Sequence, residues 1–380
     1  MLRSKYVPLS KSAIQPDQPL LFPVYNSQGT LLAEKGTELS LAQVQKLDKV
    51  TEVFTLNRAL LSAAANGKGQ DDKDSAFRLP PPMERLTSIE KILEEVYSNP
   101  HSSTAMSKVL TLINRLQGIC DKSPDAAIAK IITDSTENYA VRHALHTAIL
   151  CELTSTHLDW SIEEKRNLLG AALTMNVSMG FMQDILLDQP QPLTIEQQEV
   201  INNHPTASVE ILKGMGIQNI DWLEFVEKHH EAIDGSGYPK GHIEKDIPLG
   251  ALLIKLSDIY CAKVSGRSYR KPIYANVATR DIFLEKDNAN KGTLIEIFVK
   301  ILGLYPPGCI VRLQNLEVGI VVKRGDRIDT PIVHIISPKD TRPNAQKVRR
   351  HTSEKNYAIT ETLPVSEIHF DLDYGDMWPY

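Results

Sequence analysis

Apolar residues recur at helical spacing through most of the chain, and this limits what it can fold into. Ile89, Ile92, Leu93 and Val96 stand at i, i+3, i+4 and i+7, and Met106, Val109, Leu110 and Ile113 repeat the pattern. Each such stripe has to be buried against another helix. The same reading from about residue 84 gives further helices over about 124–134, 138–157, 161–174, 194–202, 205–214, 220–229, 248–264 and 275–286. The spacing therefore predicts a mainly α fold, a bundle of many helices.

The pattern changes at both ends. YPPGCIVRLQNLEVGIVVKR reads as a β-hairpin turning at Gln314 and Asn315, and Ile332 to Ile336 as one more strand. Near the start, LLFPVYNSQGTLLAEKGTEL carries β-like runs broken by turn signals. SLAQVQKLDKV follows as a short helix with Ser40 as N-cap, and EVFTL as a strand. AANGKGQDDKDSAFRLPPP is a linker by composition. The expected organisation is a small α/β module over 1–60, a linker over 61–83, a helical domain with a closing hairpin over 84–325, and a C-terminal extension over 326–380.

A length of 380 residues fits two or three domains. The net charge of −5 argues against a general DNA-binding role, although basic clusters occur at Arg267 to Lys271 and Lys347 to His351. Cys120, Cys151, Cys261 and Cys309 are far apart and form no C-x-x-C pair. That spacing excludes a disulfide framework or zinc ribbon and fits a reducing compartment. No stretch reaches the roughly 18 apolar residues of a membrane span, and MLRSKYVPLSKS is not followed by an apolar signal region. A cytoplasmic protein without membrane insertion is expected.

The stretch richest in chemistry is HHEAIDGSGYPKG, His229 to Gly241. Two histidines beside a carboxylate at a helix end can turn ring nitrogens into one cavity, and neutral imidazole is a common metal ligand. The Gly235, Ser236, Gly237, Tyr238, Pro239 run has to be a tight loop. On spacing alone, an ordinary capped helix end fits as well.

This stretch resembles the HHExxDGxGYPxG signature of HD-GYP domains, a branch of the HD phosphohydrolase superfamily. ENYAVRHALHTAIL, QPLTIEQQEVINNHPTASVEIL, IPLGALLIKLSDIYCAKVSGRSYRKP and LYPPGCIVRLQNLEVGIVV resemble other segments of that family, covering roughly residues 85 to 325. The resemblance implies metal ligands at His143, His204, His229, His230 and Asp258. It also implies hydrolysis of cyclic di-GMP by two or three metal ions, iron or manganese, that activate a water.

One segment departs from the family. Where it has HDxGKxGxPD, this chain reads MNVSMGFMQD, with register kept by Pro192 to Thr194. Met175 stands at the histidine, Asn176 at the aspartate and Met179 at the lysine. A thioether is a poor ligand for a hard cation, and an amide carries no charge with which to bridge two ions. No catalytic residue is therefore assigned. Carried over singly, one metal position keeps His143 and Asp258, and the other keeps His204, His229 and His230. The second set suffices for one divalent ion, iron, manganese or zinc; the alternative is that these histidines serve packing. The turn after the last aspartate helix keeps Arg267, Arg270 and Lys271 as phosphate contacts, with Gly266 and Ser268 in place of the family's aspartate and proline. An exposed basic turn is the alternative there. The expected function is a non-catalytic or weakly active HD-GYP protein in cyclic di-GMP signalling, binding the nucleotide, or a diguanylate-cyclase-type or other signalling partner through the 235–239 loop. The alternative is a residual single-metal cyclic di-GMP phosphodiesterase.

Overall fold

The structure, a computed structural model, describes residues 6–8, 14, 20, 24–26, 31–33, 37, 40, 44, 53–56, 80–265, 273–284, 289–336, 348–364 and 377–378. The chain divides into two compact units, Met1–Leu79 and Pro80–Tyr380. In the first unit β1 (Tyr6–Pro8), β2 (Val24–Asn26), β3 (Leu31–Ala33) and β4 (Val53–Leu56) form an antiparallel sheet in the order β1-β4-β2-β3. The Val44 N–H donates to the Ser40 carbonyl, one helical turn back. The rest of the expected helix, and the expected linker up to residue 79, lie outside the described residues.

The second unit is mainly helical. Among the described residues it holds eleven helices: α1 (Pro82–Ser98), α2 (Ala105–Lys122), α3 (Pro124–Thr133), α4 (Tyr139–His157), α5 (Ile162–Thr174), α6 (Gly180–Asp188), α7 (Ile195–Gly214), α8 (Ile220–Lys228), α9 (Leu249–Val264), α10 (Ala275–Leu284) and α11 (Ala289–Leu302). The apolar stripes read from the sequence are the core: Ile89, Leu93 and Val96 of α1 and Val109 and Ile113 of α2 are fully buried. Helix α4 is buried along most of its length. Capping boxes begin α5 (Ser161 with Glu164) and α7 (Thr194 with Gln197), satisfying N–H groups that a helix start leaves free. Trp222 of α8 lies flat against Gly170 of α5, so close that a Cβ there would sit 2.4 Å from the ring, and its indole N–H reaches Thr174 Oγ1 at 3.0 Å. This contact fixes the end of α5 from which residues 175–179 lead to α6.

Two features differ from the sequence reading. Helices expected over 194–202 and 205–214 are one helix, α7, with Pro205 inside it. Proline removes one N–H, which leaves the Ile201 carbonyl without its helical donor. Here the His204 ring supplies that donor (Nδ1 to Ile201 O, 2.6 Å). Secondly, the segment read as a C-terminal extension contributes two strands, at Arg349–His351 and Ile359–Leu363, beyond the one expected at 332–336. β5 (Ile310–Leu313) and β6 (Val318–Lys323) form the expected hairpin, and β7 (Ile332–Ile335), β8 (Arg349–His351) and β9 (Ile359–Leu363) complete an antiparallel sheet in the order β8-β7-β6-β5-β9. Trp378 packs in one apolar cluster with Ile310, Ile320 and Val322 of this sheet and donates its indole N–H to Val322 O at 2.7 Å.

Glu90, Asp134 and His146 form a buried group with metal-ligating side-chain types. Its cation position is taken: the Lys130 ammonium lies 2.9 Å from Glu90 and 3.1 Å from Asp134, and His146 Nε2 lies 3.0 Å from Asp134. No helix among the described residues is long and apolar enough to cross a membrane.

Candidate functional site

A cavity of about 530 Å³ opens between α4, α6, α7, α9 and the loop after α8. His143, on the second turn of α4, His204 on α7, His230 after α8 and Asp258 on α9 all line it. His229 stands behind them, fully buried, with its ring 5.2 Å from His204 and 4.1 Å from His230. The structure thus brings together all five histidine and aspartate positions singled out in the sequence.

They form two subsets. In the first, His143 Nε2 lies 2.6 Å from Asp258 Oδ1, so the two close on each other. Burial opposes the Asp258 charge, but the His143 hydrogen bond and the surrounding imidazoles hold its carboxyl well below the usual carboxylate range. In the second, one nitrogen from each of His204, His229 and His230 lies within 4.8 Å of the others. Burial pushes His204 down to about 3 and lowers His229 and His230, so all three rings are neutral near pH 7.

The second subset fits a metal ion on its own geometry. His204 Nδ1 donates to Ile201 O and His229 Nδ1 to Val226 O, at 2.6 and 2.7 Å. Both carbonyls are free for a backbone reason: Pro205 lacks an N–H, and Val226 lies in the last turn of α8. With a proton on each Nδ1, both Nε2 atoms carry lone pairs, and they face each other at 3.3 Å. Two neutral acceptors at that distance repel unless a cation lies between them. Imidazoles sharing one tetrahedral ion have nitrogens roughly 3.3 Å apart, and such second contacts are what orient metal-binding histidines.

The departures noted in the sequence occupy the same region. Asn176 and Met179 line the cavity, whereas Met175 is fully buried in the apolar core. No lysine or arginine lines the cavity among the described residues. Arg267, Arg270 and Lys271 lie outside the described residues.

The Gly235–Pro239 loop is held by a residue that the sequence reading did not single out. The buried Glu231 carboxylate accepts the Lys240 and His242 N–H groups at 2.8 and 3.0 Å, closing residues 232–242 into a loop. Gly237 is required there, because a Cβ would lie 2.2 Å from the Ala232 nitrogen. Gly235 adopts φ +79°. Asp234 and Ser236 are exposed at the tip, while Tyr238 turns inward, lines the cavity and stacks on His230 at 4.6 Å. Tyr139, also on the cavity wall, stacks on His143 at 5.2 Å. The directions of Tyr139 and Tyr238 depend on how helix and loop pack, and spacing alone carried no signal for them. For Glu231 the signal was present, directly after the histidine pair.

Comparison with known proteins agrees with this geometry. The HD domain family model matches residues 126–290. The cyclic di-GMP phosphodiesterase PA4108 of Pseudomonas aeruginosa is 26% identical over 239 residues, 62% of this chain and 58% of that protein. The cyclic di-GMP phosphodiesterase PdeB of Borreliella burgdorferi is 22% identical over 185 residues, 49% of this chain and 48% of that protein. The chain thus spans about half the length of these curated relatives. Among solved structures, Bd1817, an HDGYP protein from Bdellovibrio bacteriovorus, shares the fold with a TM-score of 0.51 at 16% identity, covering 78% of this chain and 99% of that one. With its helical bundle and its joined histidine and aspartate positions, the chain carries an HD domain over residues 126–290 and is similar to proteins of the HD-GYP type.

Proposed function

We propose that this chain is a cyclic di-GMP-signalling protein that binds at most one divalent ion, on His204, His229 and His230, and does not hydrolyse cyclic di-GMP at enzymatic rates. The observation that carries this reading is Asn176 on the cavity wall, with Met175 withdrawn into the core. A two-metal site needs an anionic group between its ions, and an amide does not supply one. The His143–Asp258 contact supports the same reading, since it engages the His143 Nε2 and an Asp258 oxygen with each other. A bound ion would supply Lewis acidity. The chain's own residues set the tautomers of His204 and His229 and place Tyr238 across His230. Arg267, Arg270 and Lys271 are proposed phosphate contacts, and the exposed tip of the 235–239 loop the contact for a signalling partner.

The test is turnover of cyclic di-GMP by the purified protein supplied with manganese or iron. Loss of a group that acts in the transition state costs orders of magnitude in rate, so rates far below about 1 per second are expected. Turnover at or above that rate would overturn the reading. It would favour the second one, a residual single-metal phosphodiesterase, for which the mutually facing histidine nitrogens speak.

A further inference from the structure

A second concavity, of about 290 Å³, lies where the end of α11 and the start of α3 meet the loop between β6 and β7. It shares no lining residue with the histidine cavity. Four cationic side chains line it, Lys300, Lys323, Arg324 and Arg327, against two carboxylates, Asp125 and Asp326. The chain as a whole carries a net charge of −5, so this local excess runs against the overall balance. The floor is fixed. Arg324 donates from Nε to Asp125 at 2.6 Å and from Nη1 to Ile301 O at 3.0 Å, which joins the loop to α3 and to the last turn of α11. The Leu304 N–H reaches Ile328 O at 2.7 Å, and a Cβ on Gly325 would collide with Thr330 O, so the loop is folded back on itself. Arg327 forms a two-pronged pair with Asp329 at 3.0 and 2.9 Å.

Both guanidinium groups are thus answered by carboxylates. Lys300 and Lys323 are not: neither has an ion pair or a hydrogen bond among the described residues, and the one further carboxylate on the wall is Asp326. Lys300 suits the C-terminal end of α11 through the helix dipole alone. Lys323 ends a strand and gains nothing of that kind. Two ammonium groups on one concave wall repel each other, and the arrangement becomes favourable when an anion lies between them. We infer that this concavity is an anion site for a small phosphorylated molecule carrying two or more negative charges, with Lys300 and Lys323 as its contacts. An ammonium binds phosphate as a point charge. A concavity this small suits a phosphate group with little attached to it rather than a whole dinucleotide. The site does not depend on the proposed function of the histidine cavity.

The test titrates pyrophosphate calorimetrically into the full chain without added metal, at about 0.01 and 0.15 M salt, where charges are screened over roughly 30 and 8 Å. Three proteins are compared: wild type, a Lys300→Ala, Lys323→Ala variant, and a His229→Ala, His230→Ala variant. Both lysines are exposed, so the lysine variant should keep the wild-type melting temperature. Wild type is expected to bind pyrophosphate at the lower salt and more weakly at the higher. The lysine variant should bind at least about tenfold more weakly, the lower end of what one lost charged hydrogen bond costs. The histidine variant should bind as wild type does. No binding by wild type at the lower salt would overturn the inference. So would equal affinity in the lysine variant, which would place the anion elsewhere. Loss of binding in the histidine variant would overturn it too, since the anion would then sit on an ion held by the histidines.

Discussion

At the scale of single residues, the site is built from exceptions to helical hydrogen bonding. His204 turns its Nε2 toward His229 because its neighbour is a proline: the Ile201 carbonyl, left without a backbone donor, accepts from Nδ1 and fixes the ring. Pro205→Ala returns a competing N–H to that carbonyl. The variant should be as stable as wild type or more so, since proline disfavours a helix interior. Its affinity for a divalent ion should drop about tenfold, the lower end of what losing a ligand's supporting contact costs. Isothermal titration with zinc checks this, and unchanged affinity would show that the carbonyl does not orient the ring. The five histidine and aspartate positions were legible in the sequence through their motifs. Tyr139 was not, because its place on the cavity wall depends on which face of α4 meets the cavity.

At the scale of elements, the 232–242 loop and the closing sheet carry the argument. Glu231 receives two backbone N–H groups in a buried setting, so Glu231→Gln turns an amide donor toward one of them. A loss of about 1–3 kcal/mol is expected, together with faster amide exchange at Lys240 and His242. Unchanged exchange at both would mean that the loop is held by other contacts. The loop itself was readable from its glycines, and α1 and α2 from apolar spacing. Strands β1 and β8 were not: three residues such as Tyr6–Pro8 or Arg349–His351 are too short to alternate, and they exist only because a neighbouring strand offers an edge. The proline in α7 misled the reading, since a helix boundary is the commoner outcome of that residue.

For the whole molecule, the buried charges of the bundle set how stability follows pH. Burial, the Asp134 hydrogen bond and the Asp134 charge raise Glu90 from 4.5 to about 7. The folded state therefore keeps a proton that the unfolded chain has released, and this contribution to stability is lost as pH rises from 4.5 through 7. His146 has the opposite sign. Burial lowers it from 6.5 to about 4, so the unfolded chain takes up a proton first and stability is lost as pH falls through that window. Glu90→Gln has no proton to lose, so its stability relative to wild type should be higher at pH 8 than at pH 5 in urea unfolding; an equal difference at both would refute the assignment. The central claim concerns the ion. Elemental analysis of the gently purified chain and of a His229→Ala, His230→Ala variant tests it most directly. The account predicts at most one divalent ion per chain in wild type and none in the variant. Two or more ions in wild type, or an ion kept by the variant, would contradict it.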